Sequence, residues 1–149
     1  MRAVLQRVSR ASVIVDDCPV GSIESLGWLI LVGVQQGDTH IDVEKLLKKI
    51  LNIRAFNDNN GKMNLSLVDI DGPALVVSQF TLLAGYSKGR RPSFTESAEP
   101  KVARAMYDFF VEQLRATGRH VETGRFGAEM QIKIEAAGPV TLLLDSRQL

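Results

Sequence analysis

The chain of 149 residues carries 18 basic and 17 acidic side chains, which gives a formal net charge of +1. Its length and ordinary composition predict one globular domain, residues 1–149. The balanced charge argues against a protein that holds long nucleic acids on a broad basic face, so any RNA contact should be local. The longest apolar stretches, such as Trp28 to Val34, are far shorter than the roughly 20 residues of a membrane helix. We therefore expect no membrane association.

The cysteine content and the N-terminal sequence indicate the cellular compartment. Cys18 is the single cysteine, so no intrachain disulfide can form. Residues 1–7 lack the apolar segment of a signal peptide and alternate like a strand. Both features predict a cytoplasmic protein.

The first quarter of the chain is predicted to consist of strands. Alternating apolar residues predict strands over 2–8 and 11–16, and residues 20–24 form a third after the turn sequence Asp16-Asp17-Cys18-Pro19. Gly27 to Val34 is the most apolar segment and predicts a central strand. A further short strand is expected over residues 54–56.

Two helices are predicted. Thr39 and Asp42 have the spacing of a capping box ahead of the first, and Pro100 suits the first turn of the second, which Gly118 would end. The expected apolar faces are Val43, Leu46, Leu47, Ile50 and Leu51 in the first helix, and Val102, Ala105, Met106, Phe109, Phe110 and Leu114 in the second.

The segment from Pro73 to Leu82 begins as a buried strand and ends with the polar side chains of Ser78, Gln79 and Thr81. Each buried polar group without a partner costs about 1–3 kcal/mol. These side chains therefore either bond to neighbouring loops or face a pocket.

Residues 129–135 and 140–144 are predicted to be the closing strands, joined at Ala136-Ala-Gly-Pro139.

A loop over residues 84–94 mixes cations with aromatic rings. Lys88, Arg90 and Arg91 lie between Tyr86 and Phe94. This mixture suits phosphate contact and base stacking, but three charges in a loop can also simply be solvated. The sequence leaves both interpretations open.

The residue types present disfavour metal, nucleotide-cofactor and thiol mechanisms. His40 and His120 flank the two predicted helices, and neither is an evident base for a nucleophile in the 73–82 segment. Two histidines and Cys18 at scattered positions give no zinc spacing, and no Walker A or G-x-G-x-x-G sequence is present. What remains is a pocket of neutral polar side chains and backbone groups, which can position a substrate and stabilise an oxyanion.

Several motifs together resemble the D-aminoacyl-tRNA deacylases. They are Leu5-Gln-Arg-Val8, Gly61-Lys-Met-Asn-Leu65, Ser78-Gln-Phe-Thr-Leu82, Arg90-Arg-Pro-Ser-Phe94, Thr123-Gly-Arg-Phe-Gly-Ala128 and Gly138-Pro-Val-Thr141. Each is weak alone, but their joint order covers residues 1 to about 145. The resemblance implies an α/β fold with mixed β-sheets in a barrel-like, three-layer β/β/α arrangement and two main helices on one side.

The resemblance also implies a function: a cofactor-free, metal-free homodimer that hydrolyses the ester joining a D-amino acid, or glycine mischarged on tRNA-Ala, to the terminal adenosine of tRNA. The Gly138–Pro139 peptide would be cis and would enter the partner's pocket, where its backbone excludes an L side chain. Arg7 would hold that loop in place.

The remaining site residues follow from the same resemblance. Ser78, Gln79 and Thr81 would be the catalytic residues, and Phe80, Phe126 and Met130 would contact substrate. Water attack assisted by the 2′-hydroxyl of the tRNA is favoured over Thr81 as a covalent nucleophile.

The sequence departs from the family pattern just before Gly138. The family usually has Asn-Asp before Gly-Pro, whereas this chain has Ala136-Ala137, which puts the anchoring of the loop and the activity on glycyl substrates in doubt. Two alternatives stay open: a non-catalytic tRNA-binding module of the same fold, and a small-ester or peptide hydrolase acting without tRNA.

Overall fold

The structure is a computed structural model that describes residues 1–87 and 89–149. Lys88, one of the three loop cations for which the sequence leaves RNA contact open, lies outside the described residues. The strands are β1 (Arg2–Val15), β2 (Cys18–Ile23), β3 (Gly27–Gly33), β4 (Phe56–Asn57), β5 (Met63–Leu65), β6 (Ala74–Ser78), β7 (Val121–Thr123) and β8 (Gln131–Asp145). The helices are α1 (His40–Asn52) and α2 (Pro100–Arg115), and a 3-10 turn covers Phe80–Leu83.

Strand β1 organises the main sheet. Its first half pairs antiparallel with β3 and its second half with β2, while β8 pairs with it along nearly its whole length. On the other side of β3, strands β6 and β7 add in parallel. A backbone approach between β2 and β7 nearly closes this mixed sheet into a barrel: a Cβ on Gly21 would lie 2.3 Å from the Thr123 carbonyl oxygen. The small β4–β5 sheet is separate.

Two apolar cores lie on opposite faces of the curved sheet. Helices α1 and α2 cover one face and bury Leu5, Trp28 and Phe110 there. The other core fills the interior of the barrel with the side chains of Val13, Leu29 and others. This arrangement confirms the predicted α/β fold with a barrel-like sheet and two main helices.

The prediction of two separate N-terminal strands is wrong, because residues 2–15 form one strand. Odd-numbered Ala3 and Leu5 point into the core under the helices, whereas odd-numbered Val13 points into the barrel. Irregularities in the β1–β8 register around Val8 produce this change of face. The alternation therefore breaks within a continuous strand, and the break resembles a strand end.

The turn after β1 is also shorter than predicted. Asp16 and Asp17 both have positive φ, at 50° and 60°. Two such residues match the right-handed twist of a tight hairpin. The predicted turn residue Cys18 is consequently the first residue of β2 and is exposed.

The helices begin as predicted. Thr39 is the N-cap of α1 and forms a capping box with Asp42, and Pro100 occupies the first turn of α2. The buried face of α2 differs, however: Tyr107 and Val111 are buried, whereas Val102 is 52% exposed. Gly118, with φ of 81°, lies two residues past the C-cap at Ala116. No described helix combines the length and apolarity needed to cross a membrane.

Two further boundaries differ near the predicted site. Strand β6 ends at Ser78, and the chain then turns into the 3-10 segment, so Thr81 is not on a strand. The two predicted closing strands are the single strand β8, in which Ala136 to Pro139 form an irregularity in the pairing with β1 instead of a hairpin.

Candidate active site

A cavity of about 580 Å³ opens at the C-terminal end of β6. It brings together five of the predicted site residues with one more aromatic ring: Ser78, Gln79, Phe80, Phe94, Phe126 and Met130 line it. They come from four parts of the chain, so the fold assembles the site from β6, the 3-10 turn, the loop before α2 and the segment before β8.

Short-range geometry fixes the Gln79 wall of the cavity. The Gln79 backbone N–H donates to the Val32 carbonyl at 2.7 Å, which ties the chain to β3 just after β6 ends. The 3-10 turn then starts with the bond from the Leu82 N–H to the Gln79 carbonyl, at 3.3 Å. Because the N–H groups of Phe80 and Thr81 precede that bond, no carbonyl within the turn can accept them.

Thr81 is adjacent to the cavity but differently placed. It is absent from the described residues that line the cavity, and its side chain is exposed. The Gln79 side-chain amide donates a hydrogen bond to the Thr81 hydroxyl oxygen. Thr81 therefore orients Gln79, which does line the cavity.

Helix α2 supplies the opposite wall through Tyr107. The Tyr107 hydroxyl donates to the Val76 carbonyl at 2.8 Å, and the same carbonyl accepts the Gly124 N–H at 3.0 Å. Burial raises the pKa of the Tyr107 phenol, so the hydroxyl stays protonated and remains a donor. The Tyr107 ring also packs against Phe126, with 5.7 Å between centroids. Tyr107 thus joins α2 to the strand that ends in Ser78.

The mouth of the cavity combines aromatic rings with one carboxylate. Phe80 and Phe94 meet edge to face, with 4.9 Å between ring centroids and 67° between planes. Glu99, just before α2, lines the cavity and is exposed. Sequence reasoning missed Glu99 and Tyr107 as site residues, since nothing local indicates that the start and middle of α2 face the end of β6.

The Gly138–Pro139 loop lies elsewhere in the chain and is anchored by Arg7. The Gly138–Pro139 peptide is cis. Buried Arg7 donates from Nε to the Ala137 carbonyl at 2.8 Å, and from one terminal nitrogen to the Ala55 carbonyl at 2.6 Å and to Asn57 Oδ1 at 3.1 Å. The expected contact between Arg7 and this loop is therefore present.

Within one chain, the loop and the cavity are separated along β8. Ile132 lines the cavity near the start of the strand, and Gly138 follows six positions later. The four regular positions from Ile132 to Ala136 span about 13 Å at about 3.3 Å per residue, and the irregular loop lies beyond them. Accordingly, the described lining of the cavity includes neither Arg7 nor Gly138 nor Pro139.

In residues 1–87 and 89–149, no group of three or more His, Cys, Asp or Glu side chains is arranged to hold a metal ion. The cavity's own groups are hydrogen-bond donors, from Ser78, Gln79 and backbone N–H groups, together with the Glu99 carboxylate as an acceptor.

Comparison with known proteins decides the family. The family model described as D-Tyr-tRNA(Tyr) deacylase matches residues 4–145. The chain belongs to the D-Tyr-tRNA(Tyr) deacylase family. Relatives named D-aminoacyl-tRNA deacylase in Fervidobacterium nodosum and Aquifex aeolicus are each 53% identical to it, over 100% of this chain and 99% and 100% of their own lengths.

Solved structures share the fold of this chain. A protein described as c-Myc DNA Unwinding Element Binding Protein matches with a TM-score of 0.91 and 40% identity, over 97% of this chain and 98% of that one. A probable eukaryotic D-amino acid tRNA deacylase, 20% identical, matches with a TM-score of 0.81 over 96% and 97% of the two chains, which shows a shared fold.

Proposed function

We propose that the chain hydrolyses the ester bond of D-aminoacyl-tRNA, releasing the free amino acid and tRNA, with the terminal aminoacyl-adenosine in the cavity at the end of β6. Membership of the family supports the reaction. The single observation that carries the location is the convergence of Ser78, Gln79, Phe80, Phe126 and Met130 on one cavity. Its aromatic and apolar lining suits an adenine ring, and its polar groups suit an ester.

In the proposed reaction, water attacks the ester carbonyl carbon, and the bond to the ribose oxygen breaks as that oxygen takes a proton. The negative charge that develops on the carbonyl oxygen needs preorganised donors. The Phe80 N–H, the Gln79 amide and the Ser78 hydroxyl, all from residues that line the cavity, are candidates for this role. The neighbouring 2′-hydroxyl of the substrate assists the water.

A covalent role for Thr81 has less support than water attack. A serine or threonine nucleophile requires a base within hydrogen-bond reach. The Thr81 hydroxyl oxygen instead accepts a hydrogen bond from the Gln79 amide, which withdraws electron density from it.

We propose further that a second copy of the chain completes the pocket with its Gly138–Pro139 loop. The separation along β8, which exceeds about 13 Å, makes a partner's loop a better source than the chain's own. Strand β8 also presents an exposed apolar surface on both sides of the loop, with Ile134 43% and Leu143 69% exposed. A two-fold dimer would cover this surface and exchange the loops reciprocally.

The loop would act as a chirality filter made of main chain. Backbone atoms near the substrate Cα would clash with an L side chain but leave room for hydrogen, so D-aminoacyl and glycyl esters would both be accepted. The Ala136-Ala137 sequence is compatible with an anchored loop, because Arg7 bonds to the Ala137 carbonyl rather than to a side chain. We therefore include glycyl-tRNA among the substrates.

The decisive assay incubates the purified protein separately with D-tyrosyl-tRNA, L-tyrosyl-tRNA and glycyl-tRNA and follows ester loss. We expect hydrolysis of the D and glycyl esters and survival of the L ester. No hydrolysis of the D ester would refute the activity and favour the non-catalytic tRNA-binding alternative. Equal hydrolysis of D and L esters would refute the filter, and hydrolysis of simple esters alone would favour a tRNA-independent hydrolase.

Subunit complementation tests the shared pocket. Gln79→Ala damages the cavity wall, and Gly138→Ala damages the loop, because φ is 138° there and a Cβ would lie 2.7 Å from the Val140 backbone nitrogen. If loops are exchanged, half of a co-refolded mixture consists of mixed dimers, each with one intact pocket. Activity should then recover to about a quarter of the wild-type value. A pocket built within one chain would give no recovery.

A further inference from the structure

A loop beside the mouth of the cavity has no part in the proposed reaction. Gly85 and Ser93 form reciprocal backbone hydrogen bonds, 2.7 Å from the Gly85 N–H and 2.9 Å from the Ser93 N–H. This bridge closes the base of a loop whose described residues are 85–87 and 89–93, which we name the basic loop. Phe94, the next residue, lines the cavity. The loop is therefore attached directly to the mouth of the pocket.

Two cations of the basic loop are available to a ligand. Arg90 and Arg91 are exposed, and within the described part of the chain neither guanidinium forms an ion pair or a hydrogen bond to protein. An exposed, unpaired guanidinium can bind a phosphate with two parallel N–H donors, without first breaking a salt bridge.

An aromatic ring accompanies these cations. Tyr86 is 74% exposed on the same loop. A base can stack on such a ring whatever its sequence, and a cationic and aromatic surface is the usual platform for a single-stranded nucleic acid. The edge-to-face pair Phe80 and Phe94 links this platform to the cavity.

A second cleft beside Phe126 is less suitable for phosphate. It contains Arg104, Arg115 and Arg125. Arg104 pairs with Asp108 at 2.7 Å, Arg125 pairs with Asp16 at 3.4 Å, and Arg115 donates to a backbone carbonyl. Those guanidinium groups are already engaged, whereas those of the basic loop are not.

We propose that the basic loop binds the single-stranded 3′ segment of the RNA substrate immediately before its terminal nucleotide, with Arg90 and Arg91 on backbone phosphates and Tyr86 stacked on a base. The inference rests on the proposed function, which puts the terminal aminoacyl-adenosine in the adjacent cavity. It explains how a chain with a net charge of +1 recognises RNA through a small local contact.

Two substrates distinguish this loop from the catalytic pocket. D-tyrosyl-tRNA contains the upstream nucleotides, whereas the D-tyrosyl ester of adenosine fills only the cavity. The test variant is Arg90→Gln/Arg91→Gln. The matched control is Lys48→Gln/Lys49→Gln, which removes the same charge from the exposed face of α1.

For the test variant we expect kcat/KM on D-tyrosyl-tRNA to fall about ten-fold or more at low salt, mainly through KM. Its dependence on log salt should become shallower by about 1.4, since each phosphate contact on a single strand contributes about 0.7. Tyr86→Ala should lower kcat/KM about five-fold or more. All variants should hydrolyse the adenosine ester at the wild-type rate, and the control should match wild type on both substrates.

Three results would overturn the inference: an unchanged kcat/KM and salt slope on tRNA, an equal loss on both substrates, or an equal loss in the lysine control. Failure of the proposed function is a separate outcome, seen as no hydrolysis of either ester by the wild-type protein. In that event the affinity for uncharged tRNA still tests the loop. A weaker affinity in the arginine variant alone supports it, and equal affinities overturn it.

Discussion

Gly33→Ala tests whether the close packing of β3 against the 3-10 turn sets the position of Gln79. Gly33 ends β3, and a Cβ there would lie 2.9 Å from the Gln79 carbonyl oxygen and 3.3 Å from the Leu82 Cβ. The Gln79 backbone is held to β3 by its bond to Val32, at 2.7 Å. An added methyl group must therefore displace the Gln79 backbone by a few tenths of an ångström.

The expected size of the effect follows from two opposing contributions. Overpacking costs about 1–3 kcal/mol. Replacing glycine by alanine returns about 0.4–1 kcal/mol by restricting the unfolded chain. We expect a net loss of about 1 kcal/mol, or about 2–4 °C in Tm for a domain of this size. Since a misplacement of 1 Å can cost about 100-fold in rate, a smaller shift of Gln79 should lower kcat/KM about ten-fold.

The assay combines denaturant unfolding with hydrolysis of D-tyrosyl-tRNA. Gly72→Ala is the control, because its Cβ would meet the ends of the flexible Ile70 and Leu67 side chains at 2.8 and 2.9 Å, near the opposite end of β6. That variant should lose some stability but keep its kcat/KM. A Gly33→Ala protein as stable and as active as wild type would refute the proposed control of Gln79 by Gly33.

Three further variants test the capping box of α1, the hydrogen bond from Tyr107 to Val76 and the identity of the general base for hydrolysis. Burial favours the protonated Asp42 carboxyl, but hydrogen bonds from the Thr39 backbone and from nearby hydroxyls outweigh it and hold the Asp42 pKa below its usual value. Asp42→Asn should therefore lower the free energy of unfolding by about 0.5–2 kcal/mol at pH 7. This difference from wild type should shrink as the pH falls below about 4, because protonation of Asp42 removes the advantage of the carboxylate. An equal difference at pH 3 would contradict the prediction. Tyr107→Phe should lower the free energy of unfolding by about 0.5–1.5 kcal/mol, because the Val76 carbonyl still accepts the Gly124 N–H. A loss above about 3 kcal/mol in denaturant unfolding would instead mean that this carbonyl is left unsatisfied. Glu99→Gln should change kcat by less than about three-fold if the substrate assists the water, whereas a loss of about 100-fold would make Glu99 the general base.

The sequence predicted those features that depend on neighbouring residues. The capping box of Thr39 and Asp42, the Pro100 start of α2 and the central strand beginning at Gly27 all agree with the structure. Each is decided by side chains within one turn or one strand. Ser78 and Gln79, the polar side chains that follow the buried part of the 73–82 segment in the sequence, line the cavity in the structure.

Features that depend on distant pairing were not predictable in this way. The sequence pattern divides the long strand β1 at Ser9 and Arg10, because only pairing with β8, more than 100 residues later, keeps it continuous there. Tyr107 was assigned to neither the core nor the site, since its partner carbonyl, that of Val76, belongs to a strand 31 positions earlier. Local periodicity contains no information about such contacts.

Strand β8 carries residues of both proposed walls of the pocket. Near its start Ile132 lines the cavity of its own chain, and farther along Gly138 and Pro139 would line that of a partner. Antiparallel pairing with β1 on both sides of the loop fixes their separation, and Arg7, on β1, bonds to the intervening Ala137. Each copy would contribute its cavity to one pocket and its Gly138–Pro139 loop to the other. The rigid β1–β8 pair of each copy can therefore set the position of the substrate relative to the chirality filter in both pockets.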